Sequence, residues 1–523
     1  MLWSGWGEPE QAVELSAETK GLLRAALGTT GPVPTVAFEA VRLPEGRLPA
    51  AARTRLASVV GDVNVRTDRT ARILHTRGKS TPDLLRIRAG DASQAPDAVV
   101  TPASHDEVLG LLEVCREERV AVVPFGGGTS VVGGLEPRRD RFQATLALDL
   151  RRLDRLLALD QVSRTATLEA GVRGPGAEAL LSACGYTIGH YPQSFEYASL
   201  GGFAATRSSG QASAGYGRFD ERVVGLRVAT PRGTIELGRA PKSATGPDLR
   251  QVFLGSEGTF GVITAVTVEV VPLPAARVYE GWRCDSFSSG LDALRRLAQD
   301  GPLPTVLRLA DEAETALGLA RPSHLGGSGP AGCLAITGYE GSESEVAARR
   351  QEASAKLREL GAVLDRDAGE QWVQDRYRGP YLRDAMLDAG ALVETLETAA
   401  FWSRLEPLYA AVKAAVTGRL GELGTPPVVL CHVSHVYRSG ASLYFTVAAA
   451  QQADPVAQWR SAKLAASDAI LAAGGSISHH HGVGTDHREH YARELGPLGT
   501  EVLKAVKATC DPAGILNPGV LTE

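Results

Sequence analysis

From residue 96 onward the spacing of apolar positions switches repeatedly between strand and helix periods. Ala98-Val99-Val100 is a short apolar run, and Ser104 with Glu107 forms a capping-box pattern that opens a helix through residue 118. The β-branched run Val120-Ala121-Val122-Val123 predicts the next strand. Further strands are expected at 145–150 and 165–170, with a helix at 176–184. Residues 223–237 read as a hairpin, two alternating runs around Pro231-Arg232-Gly233, and 264–271 as another alternating strand. The pattern changes after Val271-Pro272-Leu273-Pro274, a proline-bounded strand end that marks a domain boundary. Beyond it, expected helices at 290–299, 343–360, 402–417 and 457–473 alternate with strands at 333–339, 427–433 and 442–449. Ahead of residue 96, helical periods at 17–27 and 48–60 predict an N-terminal helical extension, 1–95. The fold class is α+β, with one domain at 96–274 and a second at 275–475.

The strand at 120–123 empties into Pro124-Phe125-Gly126-Gly127-Gly128-Thr129-Ser130, followed by Val131-Val132-Gly133-Gly134. Glycines let backbone N–H groups converge on an anion without Cβ interference, and Thr129 and Ser130 add hydroxyl donors. The pattern predicts a phosphate cradle; a glycine-rich turn without a ligand is the alternative for this loop alone. It is not a Walker loop, because no lysine follows, nor a Rossmann fingerprint, whose third glycine would fall on Val131. A second cluster, 189–217, is dense in Gly, Ser and Ala, with little period and a length beyond that of ordinary connections. A third, Gly255 to Ile263, leads into the strand at 264–271. Small-residue loops separated by strands predict a backbone that lines an extended ligand.

Four segments resemble the flavin-binding loops of the vanillyl-alcohol-oxidase-type FAD proteins. They are Pro124 to Ser130, Gln193-Ser194-Phe195-Glu196-Tyr197-Ala198-Ser199, Thr206-Arg207-Ser208-Ser209, and Glu257-Gly258-Thr259-Phe260-Gly261-Val262-Ile263. The terminal stretch Asp511 to Gly519 (DPAGILNPG) is another mark of that superfamily. Within it the chain is most similar to the alkylglycerone-phosphate synthases. The points of similarity are TGPDLRQVFLGSEGTFGVIT at 245–264, SISHHHGVG at 476–484, Trp3-Ser4-Gly5-Trp6-Gly7, and Val436-Tyr437-Arg438-Ser439-Gly440. The resemblance implies a two-subdomain FAD-binding domain at 96–274 and an α+β substrate (cap) domain over an antiparallel sheet at 275–475. It also implies that 476–523 returns to the FAD domain. The implied cofactor is FAD, bound by the four loops. The implied reaction exchanges the acyl chain of an acyl-dihydroxyacetone phosphate for a fatty alcohol, with no net redox.

Among polar residues, His479-His480-His481 is the most prominent cluster. Adjacent side chains diverge by about 100° on a helix and about 180° on a strand, so the three cannot all face one ion, and no metal is expected. The flanking glycines predict tight backbone near a ligand, and a polar loop is the alternative. His487 and His490 sit in a charged stretch that reads as a solvated helix face. The resemblance places the triple histidine in the active site and makes Tyr437 the proton acceptor and donor. A free tyrosine titrates near pH ~10, so that role needs nearby cations. Arg438 stands where the family pattern has an acidic residue, and His432 and His435 replace other polar residues. Arg383 matches the family's substrate-holding arginine. Arg308, flanked by Val306, Leu307 and Leu309, would point opposite its immediate neighbours on a strand. Either guanidinium suits a phosphate or carboxylate; a surface ion pair is the alternative. Residues 394–398 (ETLET) resemble a substrate-side motif with no assigned chemistry. An FAD-linked oxidase or dehydrogenase of a 2-hydroxy acid, of the lactate or glycolate type, would use the same loops, an arginine and a histidine base.

Composition narrows the partners. The 523-residue chain is 44% apolar and 22% charged with a net charge of −5, which argues against a nucleic-acid partner. No apolar run reaches the ~18 residues of a membrane helix, and the N-terminus lacks a signal-peptide pattern. Six scattered cysteines show no zinc spacing and predict reduced thiols in a cytoplasmic protein. The expected partner is a small-molecule or lipid substrate, compatible with peripheral membrane contact and a homodimer.

Overall fold

The structure, a computed structural model, describes residues 1–136, 138–139, 141–318 and 331–522. Two small sheets and one large one organise them, with a two-stranded ribbon pairing Tyr186–Thr187 with Val271–Pro272. The first has four strands in the order Val65–Arg66, Ala98–Val100, Ala144–Asp149, Val120–Phe125, the last three parallel. Its parallel strands are buried on both faces, which is why they read as continuous apolar runs rather than alternating ones. The second is a five-stranded antiparallel sheet in the order Leu156–Asp160, Thr165–Glu169, Val262–Glu269, Val223–Thr230, Gly233–Leu237. The C-terminal stretch closes onto the first sheet: Val122 N–H donates to Ile515 O at 2.8 Å, and Asn517 N–H to Val122 O at 2.8 Å.

The third sheet is antiparallel and seven-stranded. Its order is Val363–Asp365, Ala276–Cys284, Cys333–Gly341, Val306–Ala310, Val428–Val436, Gly440–Ala450, Ala391–Phe401. Strand side chains alternate between faces, and here the alternation divides core from cavity. Leu307, Leu309, Val429, Cys431, Val433, Leu443, Phe445 and Val447 enter a core shared with helices Phe287–Asp300, Leu405–Glu422 and Pro455–Ala472. Their neighbours Arg308, Leu430, His432, Tyr444 and Thr446 face the opposite way, into a cavity. A strand slip of one residue would exchange the two sets.

Some elements differ from expectation. The 189–217 stretch is not one loop, because Ser199 caps a helix at Leu200–Thr206 by accepting from Gly202 N–H, and a short turn of helix follows at Ser213–Tyr216. The strand Ala391–Phe401 and helices Thr81–Arg88, Arg366–Asp375 and Gly379–Asp388 had no separate signal. The N-terminal helix Ala17–Leu27, capped by Ser16 and ended by left-handed Gly28, packs beside the third sheet and not apart from it.

Candidate active site

One cavity of about 460 Å³ runs from the glycine loops to the third sheet. At one end it is lined by Pro124 to Ser130, by Gln193, Ser194, Ala198, Ser199, Thr206, Ser208 and Ser209, and by Glu257, Gly258, Gly261, Val262 and Ile263. These loops interlock. A Cβ on Gly127 would lie 2.0 Å from Tyr197 O, and one on Gly126 would lie 2.4 Å from Ser199 Oγ. Gly128, at φ +72°, takes a left-handed turn that ordinary residues avoid. Glycine backbone and hydroxyl side chains around an elongated cavity fit a flavin dinucleotide. These loop residues would hold its pyrophosphate and ring.

Not every loop residue faces the cavity. Phe195 stacks with Tyr377 at 5.8 Å, Tyr197 packs edge-on against Trp6, and Glu196 accepts from Tyr381. Arg207 donates to the carbonyls of Leu254 and Gln251, Thr259 Oγ1 donates to Val520 O, and Phe260 is buried in the core. These six brace the loops instead of lining the ligand space, which corrects the expectation that the segments contribute uniformly.

The histidines sit at the other end. Glu397, from the Ala391–Phe401 strand, accepts from Ser478 Oγ at 2.7 Å and from the N–H groups of His479, His480 and His481 at 2.6, 3.1 and 2.9 Å. This carboxylate fans the three side chains apart, so His480 and His481 line the cavity while His479 turns behind them. His479 Nδ1 meets His480 Nδ1 at 2.9 Å, and His479 Nε2 meets the Tyr437 hydroxyl at 2.7 Å. His435, from the strand Val428–Val436, bonds Ser209 and Ser213 through Nδ1 and stacks on His479. Ring nitrogens of His435, His479 and His480 thus lie within 4.8 Å of one another, a convergence that consecutive positions alone did not reveal. The planes of His435 and His479 are only 26° apart, so their in-plane lone pairs run side by side. Both nitrogens of His479 are already engaged. The arrangement is that of a hydrogen-bonded file.

Burial holds this file neutral. It pushes His435 and His479 well below the usual imidazole range, with neighbouring histidines and Arg218 adding to the effect. His480 is also lowered, chiefly by burial, against the opposing pull of Glu397. His481 falls to about 3 for the same leading reason. Burial would raise Glu397, but the three imidazoles and backbone N–H donors overcome it and keep the carboxyl well below its ordinary value. Tyr437 is pushed up to about 12 by burial, while Arg218 pulls the other way. The cation at this phenol is therefore Arg218; Arg438 is exposed.

Arg383 and Arg308 both line the cavity. Arg383 donates to Lys79 O at 2.7 Å and pairs with Asp384 at 3.1 Å. Arg308 pairs with Glu314 at 2.6 Å, and Glu314 also meets His432 Nδ1 at 2.8 Å. Burial would raise Glu314, yet His432 and Arg308 hold it down to about 2. Arg308 Nε, Gln193 Nε2 and Gln211 Oε1 are buried polar atoms without a protein partner, which marks this side for a polar ligand. Sequence reasoning had no signal for Gln211, Arg376 or Arg218, and gave Glu397 no role. His487 and His490 are buried, at 3% and 2% exposure, because Gly482 O and Asp468 receive their ring nitrogens; they are not a solvated face.

The third part of the cavity is apolar. Leu22, Leu23, Ala26 and Leu27 of the N-terminal helix form one wall, and Leu382, Met386, Val393, Val428, Leu430 and Ala448 form the other. Among the described residues, no helix is long and apolar enough to cross a membrane.

Two family models match the chain: an FAD binding domain over residues 96–238 and the C-terminal domain of FAD linked oxidases over 273–521. An alkyldihydroxyacetonephosphate synthase of Dictyostelium discoideum is 36% identical, covering 87% of this chain and 78% of that protein. The Trypanosoma brucei brucei protein of that name is 32% identical, over 99% of this chain and 92% of its own. A solved alkyldihydroxyacetonephosphate synthase structure superposes with a TM-score of 0.83 at 30% identity, covering 99% of this chain and 98% of that one.

Proposed function

Because this chain belongs to the alkyldihydroxyacetonephosphate synthase family of FAD-linked proteins, we propose that it exchanges the acyl chain of an acyl-dihydroxyacetone phosphate for a fatty alcohol. The product is an ether lipid precursor, and a fatty acid is released. The observation that carries this reading is the apolar arm walled by Leu22, Leu23, Ala26, Leu27, Met386 and Leu430. It continues from the histidine end of the same cavity. A lactate or glycolate would leave that surface unused, whereas a long hydrocarbon chain gains about 0.8 kcal/mol for each CH₂ it buries.

The residues divide the work as follows. Arg383, Arg308 and Arg376 supply cations for the phosphate, assisted by the unpartnered Nε2 donor of Gln193. When bound, FAD supplies an electrophilic ring beside the reacting carbon. In this reading the Tyr437–His479–His480 file, which meets the cavity at His480, takes the proton that leaves the carbon next to the ketone and later returns one to it. Glu397 stabilises whichever imidazole is transiently charged, since it stays ionised beneath them. The exchange has its own proton balance. The alcohol gives up its O–H proton, the acyl group departs as carboxylate, and one proton is released per turnover.

Anaerobic incubation with an acyl-dihydroxyacetone phosphate and hexadecanol is expected to release fatty acid and form the ether without lasting bleaching of the flavin. Bleaching by D-lactate or glycolate, with no acid release from the ester, would overturn this reading in favour of a hydroxy-acid oxidoreductase. Thr446 faces the apolar arm, so Thr446→Phe is expected to shift preference several-fold toward shorter alcohols while FAD stays bound. Unchanged chain-length preference would place the hydrocarbon elsewhere.

A further inference from the structure

Behind the histidines lies a second recess, open to solvent and about 820 Å³ in volume. Its wall includes Arg218, Tyr437, Ser439, Ser476, His479 and Arg493. Tyr437 and His479 border this recess and not the reaction cavity, whereas His480 borders the cavity and not the recess. The file of hydrogen bonds therefore crosses the wall between two spaces. Arg218 is fixed there by Asp220 at 3.0 Å and by Arg207 O at 3.0 Å, and its guanidinium stands beside the Tyr437 phenol.

Building on the synthase reading, we propose that this recess is the proton port of the active site. Protons pass between cavity and solvent through His480, His479 and Tyr437, and Arg218 is the positioning residue that steadies the phenolate in passing. Each hop is balanced. His480 accepts a proton at the ring nitrogen not engaged by His479 and gives up the one on Nδ1 to His479 Nδ1. His479 then gives up its Nε2 proton to the Tyr437 oxygen, which releases its own proton to water in the recess. One proton enters, one leaves, and two tautomers invert. The outgoing proton matches the one that the exchange releases.

The surroundings suit conduction more than storage. Facing the file are His435, Ser209 and Ser213, the carboxylates of Glu397 and Glu221, and Arg218. With imidazoles held below their usual range and the phenol held above its own, a proton has no stable resting place along the file.

Ala472, exposed at the end of its helix and on the recess wall, offers a place to plug the port without touching the chemistry. In the FAD-loaded protein with ¹⁵N-labelled histidine, Ala472→Trp is expected to slow exchange of the His479 and His480 ring N–H protons with water by about tenfold or more. This measurement requires no substrate, so it stands even if the synthase reading fails. Exchange at the wild-type rate in the plugged variant would overturn the proposal. With the acyl ester and hexadecanol, Arg218→Gln is expected to lower kcat about tenfold or more, leave KM within about twofold, and move the pH–rate profile about one unit alkaline. Arg218→Lys should recover part of the loss. A lower kcat with an unshifted profile and no recovery would make Arg218 structural and remove it from the relay.

Discussion

Glu257 on the flavin side and Glu397 on the sheet side grip the same loop, yet they sit in opposite electrostatic regimes. Glu257 accepts from the N–H groups of Val483 and Gly484, at 2.9 Å and 2.9 Å, and burial pushes it up to about 7 because those donors compensate only in part. Glu397 accepts from the neighbouring residues 478–481, and these donors together with the adjacent imidazoles keep its carboxyl well below the ordinary value. The difference reflects how the two ends of the cavity are built. The flavin end is complementary through backbone, so it tolerates a carboxyl that is half neutral. The histidine end is an arrangement of side-chain protons, so its carboxylate must stay charged. A loop shared by both fixes the distance between cofactor and proton relay.

If the flavin end depends on backbone shape, Gly127→Val should give the largest effect, a protein without flavin. Its Cβ would fall 2.0 Å from Tyr197 O and 2.7 Å from Ala198 Cα, backbone that cannot move aside. A visible spectrum showing normal flavin content in this variant would break the comparison. At the histidine end, Tyr437→Phe removes one hydroxyl and no shape. Turnover should drop about 10²–10⁴-fold while the protein stays yellow and folded. Near-normal turnover would move the proton work to His480 and His481. Arg383→Lys keeps charge but loses the fork, and KM should rise about tenfold with FAD content unchanged. Steady-state kinetics with unaltered KM would remove Arg383 from the substrate.

The smallest effect concerns Glu257 itself. Its pKa in the fold lies above the ordinary carboxyl value, so the neutral form favours folding, and that stability is lost as pH rises through about 7. Glu257→Gln is neutral at every pH. Its stability relative to the unaltered protein should therefore grow by about 1.4 kcal/mol between pH 6 and pH 8. Denaturant midpoints that keep a constant difference across this range would show that Glu257 is not protonated in the fold.

How legible each end was in the sequence follows the same division. A backbone cradle needs glycines at fixed places, and Gly126, Gly127 and Gly128 announce it locally. Arg308 was also readable, because a lone charge between apolar strand neighbours must face away from them. The proton file was not, since it depends on long-range convergence. Tyr437 meets His479 across 42 residues, and Glu397 reaches the histidine loop across 81 or more. Arg218 carried no local pattern at all. His487 and His490 misled because their charged neighbours suggest a solvated surface, while the fold buries both rings.

The N-terminal helix Ala17–Leu27 lies outside both matched domain spans, 96–238 and 273–521, yet it supplies one wall of the apolar arm. A shortened protein starting at residue 96 would keep the four flavin loops and the His479–His481 cluster while opening a greasy trough along the third sheet. Such a fragment would be prone to self-association and would capture detergent or free fatty acid indiscriminately. A yellow colour in that fragment would be a poor guide to whether it can still choose its lipid.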